Sequence, residues 1–525
     1  MKNMAAKKNK ESDSEKGWKL LKELIFDKKN WELLVCILLV SILFVPTLIR
    51  PWLIYDERII FDGLYFPTAS TFGEIFEIIE KFGLNFNALS SNTIYSSNYI
   101  TRSCPFGQLL GVLLTFFFKR EPVFYHAFNL IFHLINTCLV YFILKIFTRS
   151  SGSEQTTFNR ILICLLTVVW AVHPAMVEPV LLSTNFGAGF SYFFLFAFLL
   201  DFLINKEKNK SDLRKILIPF LFLIPMLTNE YIVTLPLVFF IIAFQKNYQV
   251  NPLNKAFKIS ATETKPYFYG LLLYIIYFLF VSHYKVSQPF NEKQLLILVE
   301  RVFWLSPQVF FHFLKLVFYP KILSIDQTLF VHLGKAISDP YAIFCILFLS
   351  CWLFIPLFLF LKGKWLPNLF LLCWTFFFAL MPFLHVFMPS YTLAAERYLY
   401  APLAFFIFSI AKIFSHKEHK VQIPVLFSLS IILVLCFSRS FYRTFDWKDN
   451  YSFINSSYET SKDPLFKAMR LGMLGKAILV FELEKKDKIK DCFFQTLGLL
   501  EEAKRETLEK KLKYQKSIPE VIKSY

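Results

Sequence analysis

Uninterrupted apolar runs, longer than the hydrocarbon of a bilayer is thick, constrain this chain more than any other feature. ELLVCILLVSILFVPTLI at 32–49 and PYAIFCILFLSCWLFIPLFLFL at 340–361 are two of them. About 18 to 20 apolar residues cross a ~30 Å hydrocarbon core as a helix. The runs do not alternate polar with apolar, which excludes a β-barrel. Composition points the same way: of 525 residues 55% are hydrophobic, 19% aromatic and only 18% charged, where a soluble chain carries about 25% charged. The chain reads as an all-α polytopic membrane protein.

The net charge of +18 would suggest nucleic-acid binding in a soluble protein, but basic loops are what orient a membrane protein. Nucleic acid is therefore not an expected partner; membrane lipid is. Seven of the nine cysteines (36, 138, 164, 345, 351, 373, 436) fall inside apolar runs and read as small buried or lipid-facing residues. Cys104 and Cys492 belong to no metal-type CxxC, so neither a disulfide framework nor a zinc site is inferred. No DxD-like pair is evident, and a divalent metal, though compatible with the chain, is not indicated. The first thirty residues hold nine Lys and five acids, without a cleavable signal ahead of the first run. That run is expected to stay as an anchor.

Basic residues alternate along the chain. The N-terminal tail and the stretches around 149–160, 206–215, 246–258, 362–364 and 412–420 are rich in Lys and Arg, whereas 173–190, 226–231 and 383–395 hold none. The positive-inside rule puts the first set in the cytoplasm. Threading the chain accordingly gives about eleven spans, near 32–50, 123–147, 159–174, 184–204, 214–227, 231–246, 266–283, 340–361, 365–382, 398–414 and 422–440. The N-terminus is then inside and the C-terminus outside. The stretch 299–320, with Arg301, His312 and Lys315, reads as an interfacial or re-entrant helix, because a twelfth span would invert every later loop against its charge.

Three regions result from this threading: a basic cytoplasmic tail at 1–31, a transmembrane domain at 32–440, and a polar helical region outside at 441–525. The first outer loop, 51–122, contains Thr71 and Glu74 in capping-box spacing ahead of Ile75, Ile78, Ile79 and Phe82. That spacing predicts a helix lying on the membrane surface. In the last region, Asp463-Pro464 reads as a helix start and 501–516 as a charged end. One hairpin of tetratricopeptide size fits there, without a second copy.

Candidate chemistry lies at the outer ends of spans. Asp56 and Glu57 are adjacent carboxylates just past the first run, with Arg58 beside them, a setting that raises one carboxyl toward the range of a general base. A solvated cluster above an aromatic belt is the alternative. His173 and Glu178 share an outer loop broken by Pro174 and Pro179, which serves either a ligand or a helical bend. Glu230 sits in a turn between two short spans, where an acid is costly. Glu396 and Arg397 put an acid and a base at the mouth of a span, with Arg suited to phosphate and the neighbouring Glu expected to hold it; the alternative is a structural ion pair. His126, Asn129 and His133 share one helix face, a pattern that usually joins helices.

Taken in order, these motifs resemble one family. They are the acidic pair after the first span, H-x-x-N-x-x-x-H (His126, Asn129, His133), H-P-x-x-x-E (His173, Pro174, Glu178), the N-E turn at Asn229-Glu230, Y-P-x-x-x-x-x-D (Tyr319, Pro320, Asp326), and E-R-Y-L-Y-x-P at 396–402. The resemblance, over roughly 30–450, is to the transmembrane and tetratricopeptide-repeat containing O-mannosyltransferases and their bacterial relatives, within the GT-C glycosyltransferase superfamily. It implies a GT-C-like fold with an extracytoplasmic active site, a polyprenyl-phosphate sugar donor, a protein or glycan acceptor, and inversion in a single displacement. By the same resemblance Asp56 is the base, Glu57 supports it, and Arg397 holds the lipid phosphate, with Arg58 and Arg102 as further phosphate contacts. His173, Glu178, Glu230 and Glu396 are expected at the sugar or acceptor pocket.

The chain departs from that pattern. Asn185-Phe186-Gly187-Ala188 stands where relatives carry G-R-x-D, Asn229-Glu230 where they carry K-E, and Arg102 is separated from Pro105 by two residues. The long repeat array is missing, which favours a bacterial plasma membrane over the endoplasmic reticulum. Sugar and acceptor are left open. Three other functions share the composition: a non-catalytic membrane assembly partner whose outer tail binds proteins, a lipid-linked oligosaccharide polymerase or ligase, and a transporter or flippase. The last would gather its polar groups at midplane in broken, often repeated helices, whereas the acids here sit at helix ends.

Overall fold

The computed structural model describes residues 30–51, 53, 71–82, 105–119, 121–149, 156–204, 212–281, 298–324, 327–334, 336–364, 366–386, 392–415 and 419–460, with short pieces between 467 and 502. Among these residues the protein is helical throughout, with no strand. In chain order the helices are α1 (Trp31–Phe44), α2 (Phe72–Phe82), α3 (Pro105–Phe118), α4 (Pro122–Phe147), α5 (Thr157–Ala171), α6 (Val177–Leu181), α7 (Phe186–Ile204) and α8 (Asp212–Thr228). They continue as α9 (Leu235–Val250), α10 (Leu253–Ile276), α11 (Ser306–Phe318), α12 (Pro340–Gly363), α13 (Pro367–Leu380), α14 (Tyr400–Phe414), α15 (His419–Asp446) and α16 (Asn450–Thr460).

A helix overlaps each of the eleven expected segments. Six stretches are long and apolar enough to cross a membrane: Pro122–Phe147, Ser183–Ile204, Glu230–Val250, Pro340–Gly363, Glu396–Phe414 and Lys420–Asp446. A seventh arises if Thr157–Ala171 and Pro174–Leu181, bent by 52°, form one span. Trp31–Thr47, Ile216–Thr228 and Pro367–Phe383 are apolar but shorter. The outward faces explain why water cannot be the solvent here. On α12, Ile343, Phe344, Leu347, Phe354, Ile355 and Phe358 are exposed, and on α15 Ile423, Phe427, Ile431, Val434 and Leu435. Apolar faces of that extent need lipid. The protein is a helical membrane protein.

Inside, α4 runs through the bundle against α1, α5, α7 and α14. His133 on α4 is bonded to the Tyr400 hydroxyl at 2.9 Å and to Ala171 O at 3.0 Å, so α4, α14 and α5 share one buried polar joint. Tyr400 stacks on Tyr192 of α7 at 4.7 Å. A second group, α8 to α10, packs so closely that a Cβ on Gly270 would lie 2.9 Å from Pro219 O. Only glycine allows that approach.

Four local outcomes differ from, or add to, the expected elements. Helix α10 begins at Leu253, not near 266, because Pro252 starts it and the basic stretch is helical too. The segment 299–320 is a π turn, Arg301–Leu305, running into α11; Trp304, Val309, Phe310 and Phe313 are buried in the core, so the rod packs into the assembly beside α12. In the first loop Glu74 N donates to Thr71 Oγ1 at 3.2 Å, starting α2 as its spacing predicts, and an additional helix, α3, meets it through Phe72 and Phe116 at 4.8 Å. Finally, α15 runs six residues past the expected boundary at 440, to Asp446. Its last turn is not part of a separate polar region. Asp463, Pro464 and most of 501–516 lie outside the described residues.

Candidate functional site

One end of the bundle gathers the C-terminal ends of α1, α5, α11 and α15 and the N-terminal ends of α4, α7 and α14. His173 ends α5 and shapes the turn beyond it. Its Nδ1 accepts from Ala175 N at 3.2 Å, leaving Nε2–H to donate to Val317 O at 3.1 Å. With both nitrogens used, His173 is an N-cap that turns the chain into α6 rather than a group offered to a ligand.

That turn delivers Glu178, which is fully buried. Its Oε2 accepts from the main-chain N of Arg397 at 3.0 Å, and its Oε1 takes the guanidinium Nη1 of the same residue. Arg397 keeps 15% of its side chain exposed. Its guanidinium lies over Tyr398, 5.0 Å from the ring centroid. Tyr398 stacks on Phe383 at 4.2 Å and meets Tyr231 edge-on at 5.3 Å. Tyr231 comes directly after Glu230, whose turn is capped by Asn229 Oδ1 accepting from Tyr231 N at 3.1 Å. Glu230 thus sits one residue from the wall around Arg397, and Asn229 is structural.

Glu396 faces the other way. The expectation that it holds Arg397 is corrected: Oε1 of Glu396 accepts from Gln327 Nε2 at 3.1 Å and from Arg443 Nη2 at 3.3 Å, while Arg443 Nη1 donates to Asp446 Oδ2 at 2.9 Å. The reason is local. Glu396 and Arg397 open a tight 3-10 turn, in which neighbouring side chains diverge. Glu396 is fully buried, as is Arg443 at 2%, so each carries the other's charge in a dry setting. Gln327 is fixed in turn, donating its main-chain N to Ala394 O at 3.0 Å. The loop before Glu396 is tied by His385, whose Nε2 bonds Leu393 O at 2.9 Å. Burial, aided by Arg301, lowers His385 to about 4, so the ring is neutral and Nε2–H donates.

Arg50, just past α1, closes the circle by donating to Thr444 O of α15. Asp56, Glu57, Arg58, Arg102 and Asp326 lie outside the described residues. Among the described residues no three metal-ligating side chains cluster. Of the expected site residues, then, Glu178, Glu396, Arg397 and Glu230 share one neighbourhood. Gln327, Arg443 and Asp446 were not foreseen. An arginine in the last turn of a largely apolar helix, with Asp three residues on, was the available signal. Comparison with known proteins finds no matching family model, no similar curated protein and no similar solved structure.

Proposed function

We propose that the protein is a GT-C-type glycosyltransferase that moves a sugar from a polyprenyl-phosphate donor to an acceptor hydroxyl of a protein or glycan. In this reading the eleven segments all cross the membrane, the N-terminus is cytoplasmic, and the site faces outward from a bacterial plasma membrane. The observation that carries it is the buried Glu178–Arg397 pair, which joins two segments of the motif series at one end of the bundle. A guanidinium so held, with part of its surface open, suits a phosphate that gains charge as it departs.

The reaction uses these positions directly. Asp56 takes the proton of the acceptor hydroxyl; that oxygen forms a bond to the anomeric carbon as the bond to the phosphate oxygen breaks. The electron pair leaves with polyprenyl phosphate, and the anomeric configuration inverts. Glu57 supports the base, and Arg58 and Arg102 join Arg397 on the phosphate. Glu178 orients Arg397, and Glu230 is assigned to the sugar pocket by the motif series. No step needs a metal.

The test is sugar transfer by purified protein in nanodiscs, given a panel of polyprenyl-phosphate sugars, with wild type beside Asp56→Asn. Transfer from at least one donor, reduced about a thousandfold or more in the variant with its melting temperature unchanged, is expected. Absence of transfer and of donor binding across the panel would overturn the reading and favour a transporter.

A further inference from the structure

Two histidines on one helix are treated very differently. On α4, His133 has both ring nitrogens bonded, to Tyr400 and to Ala171. His126, two turns earlier, is as deeply buried at 3% exposure, yet neither nitrogen makes a well-formed hydrogen bond. Its neighbour one turn on, Asn129, donates Nδ2 to Leu182 O at 2.8 Å but leaves Oδ1 without a partner. Ser183, next to Leu182 in the chain, is fully buried and has no partner for Oγ. Arg50 lies beside His126: its charge acts on the ring, and its main chain comes near one ring nitrogen without forming a hydrogen bond of good geometry. Four buried polar atoms from three side chains are therefore collected where the start of α4 meets the turn before α7.

Buried polar groups are nearly always satisfied, by protein, water or ligand. A single exception is ordinary; four atoms from adjoining residues indicate something that binds there. The chemistry narrows what it is. The set offers two imidazole nitrogens, an amide oxygen and a hydroxyl, with no carboxylate, and the nearby guanidinium discourages a cation. Hydroxyl groups, each both donor and acceptor, satisfy all four atoms. We infer that His126, Asn129 and Ser183 form the subsite that receives the hydroxyls of the donor sugar. This rests on the transferase reading, and it moves sugar recognition away from His173, whose nitrogens are spent.

The experiment measures binding to protein in nanodiscs of polyprenyl-phosphate mannose, glucose and N-acetylglucosamine, and of bare polyprenyl phosphate. Wild type is compared with Asn129→Leu and His126→Phe, and with Ser183→Ala as the milder change should the others fail to fold. Wild type is expected to prefer one sugar-bearing lipid to the bare one. In the variants that preference falls at least tenfold while affinity for the bare lipid stays within twofold. Unchanged preference, which would mean that ordered water alone fills the recess, overturns the inference; so does a parallel loss for both lipids. Equal binding of sugar-bearing and bare lipid by wild type overturns this subsite and leaves the transferase reading standing. Failure of wild type to bind any of the lipids overturns both.

Discussion

Glu178 grips Arg397 twice, at the main-chain N and at the guanidinium, across 219 residues of sequence. Removing one partner of a buried pair leaves a charge with nothing to offset it, at a cost of about 3–5 kcal/mol. Glu178→Gln and Arg397→Gln are each expected to lower the melting temperature in detergent by many degrees, and the double variant by less than the sum. A double-mutant cycle with no coupling would remove the pair from the account.

Arg443 bridges Glu396 and Asp446 by separate nitrogens. A lysine keeps the charge but has no planar fork to span two carboxylates. Arg443→Lys should therefore destabilise nearly as much as Arg443→Ala. Full recovery by lysine, read as an unfolding midpoint in denaturant, would contradict the bridged arrangement.

The close approach of α10 to α8 gives a backbone test. Gly270→Ala puts a methyl 2.9 Å from Pro219 O, where the neighbour is main chain and gives little. Overpacking of that sort costs about 1–3 kcal/mol. A variant as stable as wild type by thermal denaturation would mean that these helices are further apart.

The apolar faces of α12 and α15 should contact lipid. Nitroxides at Phe358 and Val434 are expected to be relaxed by oxygen in preference to a water-soluble nickel chelate. At Trp304 and Phe310, buried in the core, both agents should act weakly. Nickel relaxation at Phe358 equal to that of oxygen would count against a lipid-facing α12.

Much of this architecture is written in the sequence because membrane helices carry their own signal, an apolar run of bilayer length bounded by charge or proline. Pro122 and Pro340 open α4 and α12 close to the expected boundaries. The signal fails where the chain leaves the hydrocarbon. The start of α10 is polar, and nothing local separates it from a loop except Pro252. The site was half legible. Glu178, Glu396 and Arg397 stand out as charges beside apolar runs, but which acid meets which base depends on the 3-10 turn at 396–399 and the bend after His173. Adjacency in sequence suggests Glu396 for Arg397, and the fold supplies Glu178 from far away instead. Arg443 escapes a reading by hydropathy because the apolar count ends at 440, although the helix does not.

The central claim is that Arg397 receives a departing lipid phosphate. The most direct measurement tracks both products of transfer in nanodiscs, polyprenyl phosphate by mass spectrometry and the anomeric configuration of the new glycoside by NMR. The account predicts one polyprenyl phosphate released per sugar transferred, with the configuration inverted, and loss of both in Arg397→Gln. Retained configuration, or full turnover in that variant, would contradict it.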